Sequence, residues 1–161
     1  MYTIPNKKIS ILISIKPVYV DLIFSGDKTV ELRRVLPKNL PKNTEVIIYS
    51  SSPTKSIVGK ARIKNIEEQP IDKLWKDFGP LTGITFEYFK EYFKGKDKGY
   101  GLILDKIEKF PVPYPLCSLR DTLNFSPPQS FMYTPPRLME ILQIEEETLD
   151  VVKLWDTRWT L

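Results

Sequence analysis

The stretch Phe24–Arg34, FSGDKTVELRR, decides how the rest of the chain is read. Gly26 stands where a short apolar helix must end, because glycine takes the left-handed backbone of a helix cap without steric penalty. Asp27 and Lys28 form a polar turn. The chain then alternates: Thr29, Glu31 and Arg33 share one face of an extended segment, and Val30 and Leu32 share the other. The apolar face has a reason to be buried, so a strand is predicted over 29–35. So much charge beside so well defined a turn marks this segment as the place for a binding or catalytic site.

Working outward, residues 9–15, ISILISI, are β-branched and short and read as a buried strand. Pro17 suits the first turn of a helix that Gly26 closes. Downstream, LPKNLPKNT (36–44) is a polar loop and EVIIYSS (45–51) a third strand. SSPTK (51–55) turns into a fourth strand, SIVGKARIKNI (56–66), where Gly59 marks a bulge or a close backbone approach. Helices are predicted at 70–79, between Pro70 and Gly79, and at 84–95, with Thr85 as N-cap. Trp75, Phe86, Phe89 and Phe93 are assigned to the core. GYGLILDKIEKF (99–110) is a strand, and 112–136 is mostly loop with a helix around 116–123. The remaining segment, 137–161, opens as an amphipathic helix and ends in a tryptophan-bearing tail. Its Trp155 and Trp159 are assigned to packing on the domain or to a dimer contact. The division expected is a β-rich domain over 1–136 with an extension, 137–161, packed on it. Helices inserted between strands place the chain in the α+β class, with a barrel-like sheet.

Composition narrows the chemistry. A chain of 161 residues, 42 % apolar and 27 % charged, is one soluble domain with a sizeable core. The single cysteine, Cys117, rules out an internal disulfide framework and a cysteine zinc cluster. The absence of histidine removes Ser-His-Asp and Cys-His catalysis and the commonest metal ligand. Proton transfer would fall to Lys, Glu, Asp or Tyr, and the reading calls for no cofactor and no metal. A net charge of +4 favours an anionic partner, nucleic acid first. No signal peptide or membrane span is read, so a cytoplasmic protein without membrane contact is expected.

The order strand, short helix, GDKTVELR turn and strand, with the entry SIKP (14–17), resembles the ASCH family of PUA-like β-barrels. YSSSP (49–53) followed by IVGKARI, the later GYGLIL, and the LCSLRDTLNFSPPQSFMY segment are also similar to that family. The resemblance covers about residues 9–134 and implies a barrel of about five to six strands with inserted helices. It also implies an RNA-directed role, since PUA-like barrels commonly hold RNA or a modified nucleobase in a cleft. One ASCH subgroup resembles an amidohydrolase acting on acetylcytidine, and another is linked to ribonuclease activity. The amidohydrolase subgroup has a threonine three residues after its lysine. Here the lysine carries over to Lys28, but Glu31 stands at the threonine position. Its helical glutamate has two candidates here, Glu87 and Glu91.

The candidate site residues follow. Lys28, behind a helix-ending glycine, is read as a free cation for phosphate or as a base. Glu31 and Arg33 share a face; Glu31 suits a base amine, and Arg33 or Arg34 a phosphate or a stacked base. In an enzyme, Lys28 and Glu31 would form the acid–base pair. Lys16 is a second cation, Ser50 and Ser51 sit in a turn that meets phosphate or base, and Gln129 and Ser130 read a base edge from a proline-fixed loop. Tyr88, Tyr92, Tyr100 and Tyr133 are the stacking candidates. The leading expectation is an RNA-binding module. Its rivals are a metal-independent ribonuclease or nucleoside amidohydrolase, and a protein-interaction module acting through 137–161 in transcriptional or RNA regulation.

Overall fold

The run ISILISI has no polar face because both sides of its strand are covered. A computed structural model describes residues 9–143. In it the first strand, β1 (Ser10–Ile15), sends Ile11, Ile13 and Ile15 into one cluster and Leu12 into another on the opposite side of the sheet. Pro17 opens α1 (Pro17–Ser25), and Gly26 caps it at φ 88°, donating its N–H to the Ile23 carbonyl. The chain continues through β2 (Val30–Arg33), β3 (Glu45–Ser50), β4 (Ser56–Pro70), α2 (Ile71–Phe78), a 3₁₀ turn at Gly79–Leu81, α3 (Phe86–Tyr92), β5 (Lys98–Pro115), α4 (Leu116–Leu123) and β6 (Phe131–Tyr133). Residues 136–143 are again helical.

The six strands form one sheet in the order β2-β5-β4-β3-β1-β6. The β1–β3 pair is parallel and every other pair is antiparallel. The long β4–β5 ribbon changes register near Gly59, Arg62 and Asn65. Each shift adds a bend and extra twist, which curls the sheet into a half-barrel. Gly59 is both a bulge and a close approach. A Cβ there would press on the Glu108 carbonyl and lie 2.7 Å from Cζ of Phe24.

Three apolar clusters hold the fold. Val20 and Ile23 of α1 pack into the concave side with Ile11, Ile13, Ile48 and Ile63. Leu116 and Leu119 of α4 cover the opposite side over Leu12 and Ile47, joined by Leu138 and Leu142. Leu74, Phe89 and Phe93 cover Val30 and Leu32 of β2.

Several boundaries depart from the sequence reading. β2 is shorter than 29–35, whereas β4 runs on to Pro70 and β5 to Pro115. The bulges interrupt the two-residue alternation, so periodicity under-reads both long strands. The segment 112–136 read as mostly loop holds the end of β5, the expected helix α4, and the short edge strand β6. Phe86 is 44 % exposed and outside the core, unlike Phe89 and Phe93. Of the expected extension, 137–143 contributes Leu138 and Leu142 to a core cluster; Trp155 and Trp159 lie outside the described residues. No helix among the described residues is long and apolar enough to cross a membrane.

Candidate functional site

Lys28 is not free. It is buried, at 3 % exposure, and its Nζ donates to the carbonyls of Val30 at 3.0 Å and Thr82 at 2.6 Å. The same Nζ pairs with Glu31 Oε2 at 3.2 Å. The turn after Gly26 carries the chain under the segment 79–83, whose Leu81 carbonyl accepts from the Thr29 N–H. That lid was invisible locally because it comes from a part of the chain more than fifty residues away. The readings of an open turn and of an exposed charged face on β2 are therefore corrected: all four residues of β2 are buried.

Glu31 is the centre of a buried charge triad. Its Oε1 accepts from Arg33 Nη2 at 2.8 Å while Oε2 meets Lys28. Arg33 Nη2 also donates to the Ser14 carbonyl at 3.0 Å, and Nη1 to Ser130 Oγ at 3.3 Å. β2 is one edge of the sheet, and Ser14 and Ser130 lie at the other edge. Arg33 thus ties the open seam of the half-barrel shut with its side chain. Three close charges share hydrogen bonds here, which offsets the cost of taking each out of water.

A cavity of about 670 Å³ opens over this triad. That is the size of a typical small-ligand site. Its wall takes Lys16 and Tyr19 from the start of α1, Tyr49 from the end of β3, Lys55 from the β3–β4 turn, Tyr88 and Tyr92 from α3, and Arg120 from α4. Thr85 caps α3, its Oγ1 accepting the Tyr88 N–H at 3.1 Å, and so sets where Tyr88 and Tyr92 face. Tyr88 and Tyr92 are near parallel, 10° apart with centroids 6.4 Å from each other, and Tyr19 meets Tyr88 edge-on. Lys16 Nζ lies 3.4 Å from Tyr88 Oη and 5.3 Å from its ring centroid.

The structure brings together Lys16, Lys28, Glu31, Arg33, Ser51 and Gln129 in this wall. It leaves others outside. Ser50 is buried in the β3–β4 pairing, and Ser130 stands behind Arg33 as its acceptor. Arg34 is exposed and does not line the cavity; its guanidinium lies 5.0 Å from the Tyr92 ring centroid. Of the stacking candidates, Tyr88 and Tyr92 line the cavity, while Tyr100 pairs with Arg33 in the β2–β5 ladder and Tyr133 lies on the outer edge strand. The sequence reading passed over Tyr19, Lys55 and Arg120. No local pattern marks them, since they come from three elements far apart in the chain.

Three phenols in the wall are held above their ordinary acidity range. Burial is the main cause at Tyr49, partly opposed by Arg120. Burial also leads at Tyr92, opposed by Arg33, and at Tyr19, where Tyr88 adds to it. All three are neutral hydrogen-bond donors at physiological pH. The Tyr49 hydroxyl has no partner among the described residues although the side chain is 97 % buried, its residual exposure being 3 %. Lys16, Lys55 and Arg120 have no acidic partner among the described residues either, so the rim is cationic. No group of three His, Cys, Asp or Glu residues lies together among the described residues.

Residues 9–117 match a family model described as a domain of unknown function, DUF365. The chain is 33 % identical over 135 residues to an ASCH domain-containing ribonuclease of Zymomonas mobilis, covering 83 % of this chain and 88 % of that protein. The crystal structure of ASCH from Zymomonas mobilis superposes with a TM-score of 0.76 at 30 % identity, over 83 % of this chain and 92 % of that one. The human THYN1 protein, solved in complex with DNA containing 5-methylcytosine, shares the fold at a TM-score of 0.56 and 11 % identity, over 86 % of this chain and 98 % of that one. This chain belongs to the ASCH domain family, and its curled half-barrel is the PUA-like fold.

Proposed function

We propose that this protein binds single-stranded RNA, with one unpaired base in the cavity and the flanking phosphates on Lys16, Lys55 and Arg120. The observation that carries the reading is the meeting of three cations without acidic partners and four tyrosines around one base-sized cavity. Aromatic faces stack any base, and free cations release counterions from the backbone. The buried triad of Lys28, Glu31 and Arg33 is the floor that holds the wall in place. Fluorescence anisotropy with short single-stranded RNA tests this. Lys55→Ala/Arg120→Ala should weaken binding about tenfold or more while the protein stays folded. Binding that is absent at low salt, or unchanged in the double variant, overturns it.

A second reading, cleavage of the bound strand, is favoured by the name of the Zymomonas relative. RNA carries its own nucleophile. The 2′-oxygen gives its proton to solvent water and attacks the adjacent phosphorus; the bond to the 5′-oxygen breaks, and that oxygen takes up a proton. The neutral, unpartnered Tyr49 hydroxyl is the donor we assign to the leaving oxygen, with Lys55 and Arg120 balancing the charge that develops on phosphate. The anisotropy samples, run afterwards on a gel, should show shortened RNA. RNA methylated at every 2′-hydroxyl should stay whole, and Tyr49→Phe should cut unmethylated RNA far more slowly than wild type does.

A further inference from the structure

α3 presents two different faces to the two sides of its buried stripe. Phe89 and Phe93 are buried, and Tyr88 and Tyr92, on one flank, line the main cavity. Phe86 and Lys90, four residues apart on the other flank, do not. A second hollow of about 510 Å³ lies there, walled by Trp75, Lys76, Gly79, Pro80, Ile84 and Phe86. Ile84 lines both cavities, so the two are neighbours on either side of one side chain just ahead of α3.

The second hollow is furnished for a base. Phe86 is 44 % exposed although it is a large apolar ring, and it meets Trp75 with centroids 5.2 Å apart. Lys90 lies 5.0 Å from the Phe86 centroid, and Lys76 lines the same hollow. An open aromatic platform flanked by lysines is the arrangement that single-stranded nucleic acid seeks. The acidic residues of the helix, Glu87 and Glu91, fall a third of a turn away and face solvent.

We infer that the strand bound in the main cavity runs on over Ile84 and stacks its next base on Phe86 and Trp75, with Lys76 and Lys90 on the neighbouring phosphates. This rests on the RNA-binding reading and deepens it. The ligand is an extended strand spanning two stacking positions, rather than an isolated nucleoside.

The test is anisotropy binding of a single ribonucleotide carrying both 3′- and 5′-phosphates and of a hexanucleotide of single-stranded RNA, on the full chain. Wild type should bind the hexanucleotide about tenfold or more tightly than the single nucleotide. Phe86→Ala should remove most of that advantage and leave single-nucleotide binding within about twofold; Phe86→Tyr, which keeps the ring, should restore it. A thermal melt of each variant checks folding. If Phe86→Ala leaves the length dependence intact while Lys55→Ala/Arg120→Ala weakens both ligands, the second position is wrong and the main cavity stands. If Phe86→Ala weakens both ligands equally, the residue acts through the fold and the inference is overturned. If wild type binds neither ligand, the RNA-binding reading fails first and takes this one with it.

Discussion

Glu31 is the anion that holds two motif cations together in the cavity floor. It accepts from Lys28 and Arg33 at once, at 10 % side-chain exposure. Removing its charge leaves two buried cations facing each other with no anion between them. Glu31→Gln should therefore cost about 3–5 kcal/mol of stability, read as a lowered denaturant midpoint. Lys28→Ala would damage the same network, so a loss of activity there would not by itself mark Lys28 as a binding residue. Lys55 and Arg120 are cleaner reporters, having no acidic partner among the described residues. Plotted as log affinity against log salt, the RNA-binding slope of Arg120→Ala should be shallower by about 1 than that of wild type. An unchanged slope would mean that Arg120 meets no phosphate.

At the scale of elements, the curl of the β4–β5 ribbon sets the cavity. Its bend depends on Gly59, where a side chain would push on the Glu108 carbonyl and the Phe24 ring. The carbonyl is fixed in the ladder and cannot yield as a flexible side-chain end would. Gly59→Ala is expected to destabilise by about 2–3 kcal/mol in urea unfolding. α1, which carries Lys16 and Tyr19 and packs Phe24 against Gly59, should be displaced with it. A variant as stable as wild type would show that the ribbon has another way to bend. β1 and α1 were legible because their signals are local: an apolar run, a proline start, a glycine stop. The bulged strands were under-read because each shift resets the alternation that reveals a strand.

Over the whole molecule, the buried phenols link stability to alkaline pH. Tyr92 is held above the ordinary phenol value, mainly by burial, with Tyr19 and Tyr49 shifted the same way. An unfolded chain gives up these protons near the ordinary value, about 10, while the folded chain keeps them to higher pH. The unfolded state then binds fewer protons, so this contribution is fully present below about pH 10 and is lost as pH rises through the folded values. Urea midpoints should fall above about pH 10, and Tyr92→Phe should make that fall shallower. Equal slopes for the two proteins would remove Tyr92 from the account. At the acid end the Arg62–Asp105 pair acts oppositely. The hydrogen bond from Arg62 lowers the Asp105 pKa, so its contribution is present above the ordinary carboxylate value and lost as pH falls through the lowered one.

What the sequence by itself determined is most of the elements, the edge strand β6 apart, and which three residues make up the triad. Gly26, Thr85, Pro17 and the alternation of Val30 and Leu32 act on neighbours a few residues away, so their meaning is readable in order along the chain. It also carried the family resemblance and the absence of histidine chemistry. What only the tertiary structure decided is which charges are structural and which face a ligand. Lys28 was read as open, yet the segment 79–83, a remote part of the chain, buries it. Tyr19, Tyr49, Lys55 and Arg120 share a cavity because β1 pairs with β3 and α4 folds back beside their ends. Burial and convergence depend on contacts between distant residues. Those contacts exist only once the sheet has curled, and no local period or cap encodes them.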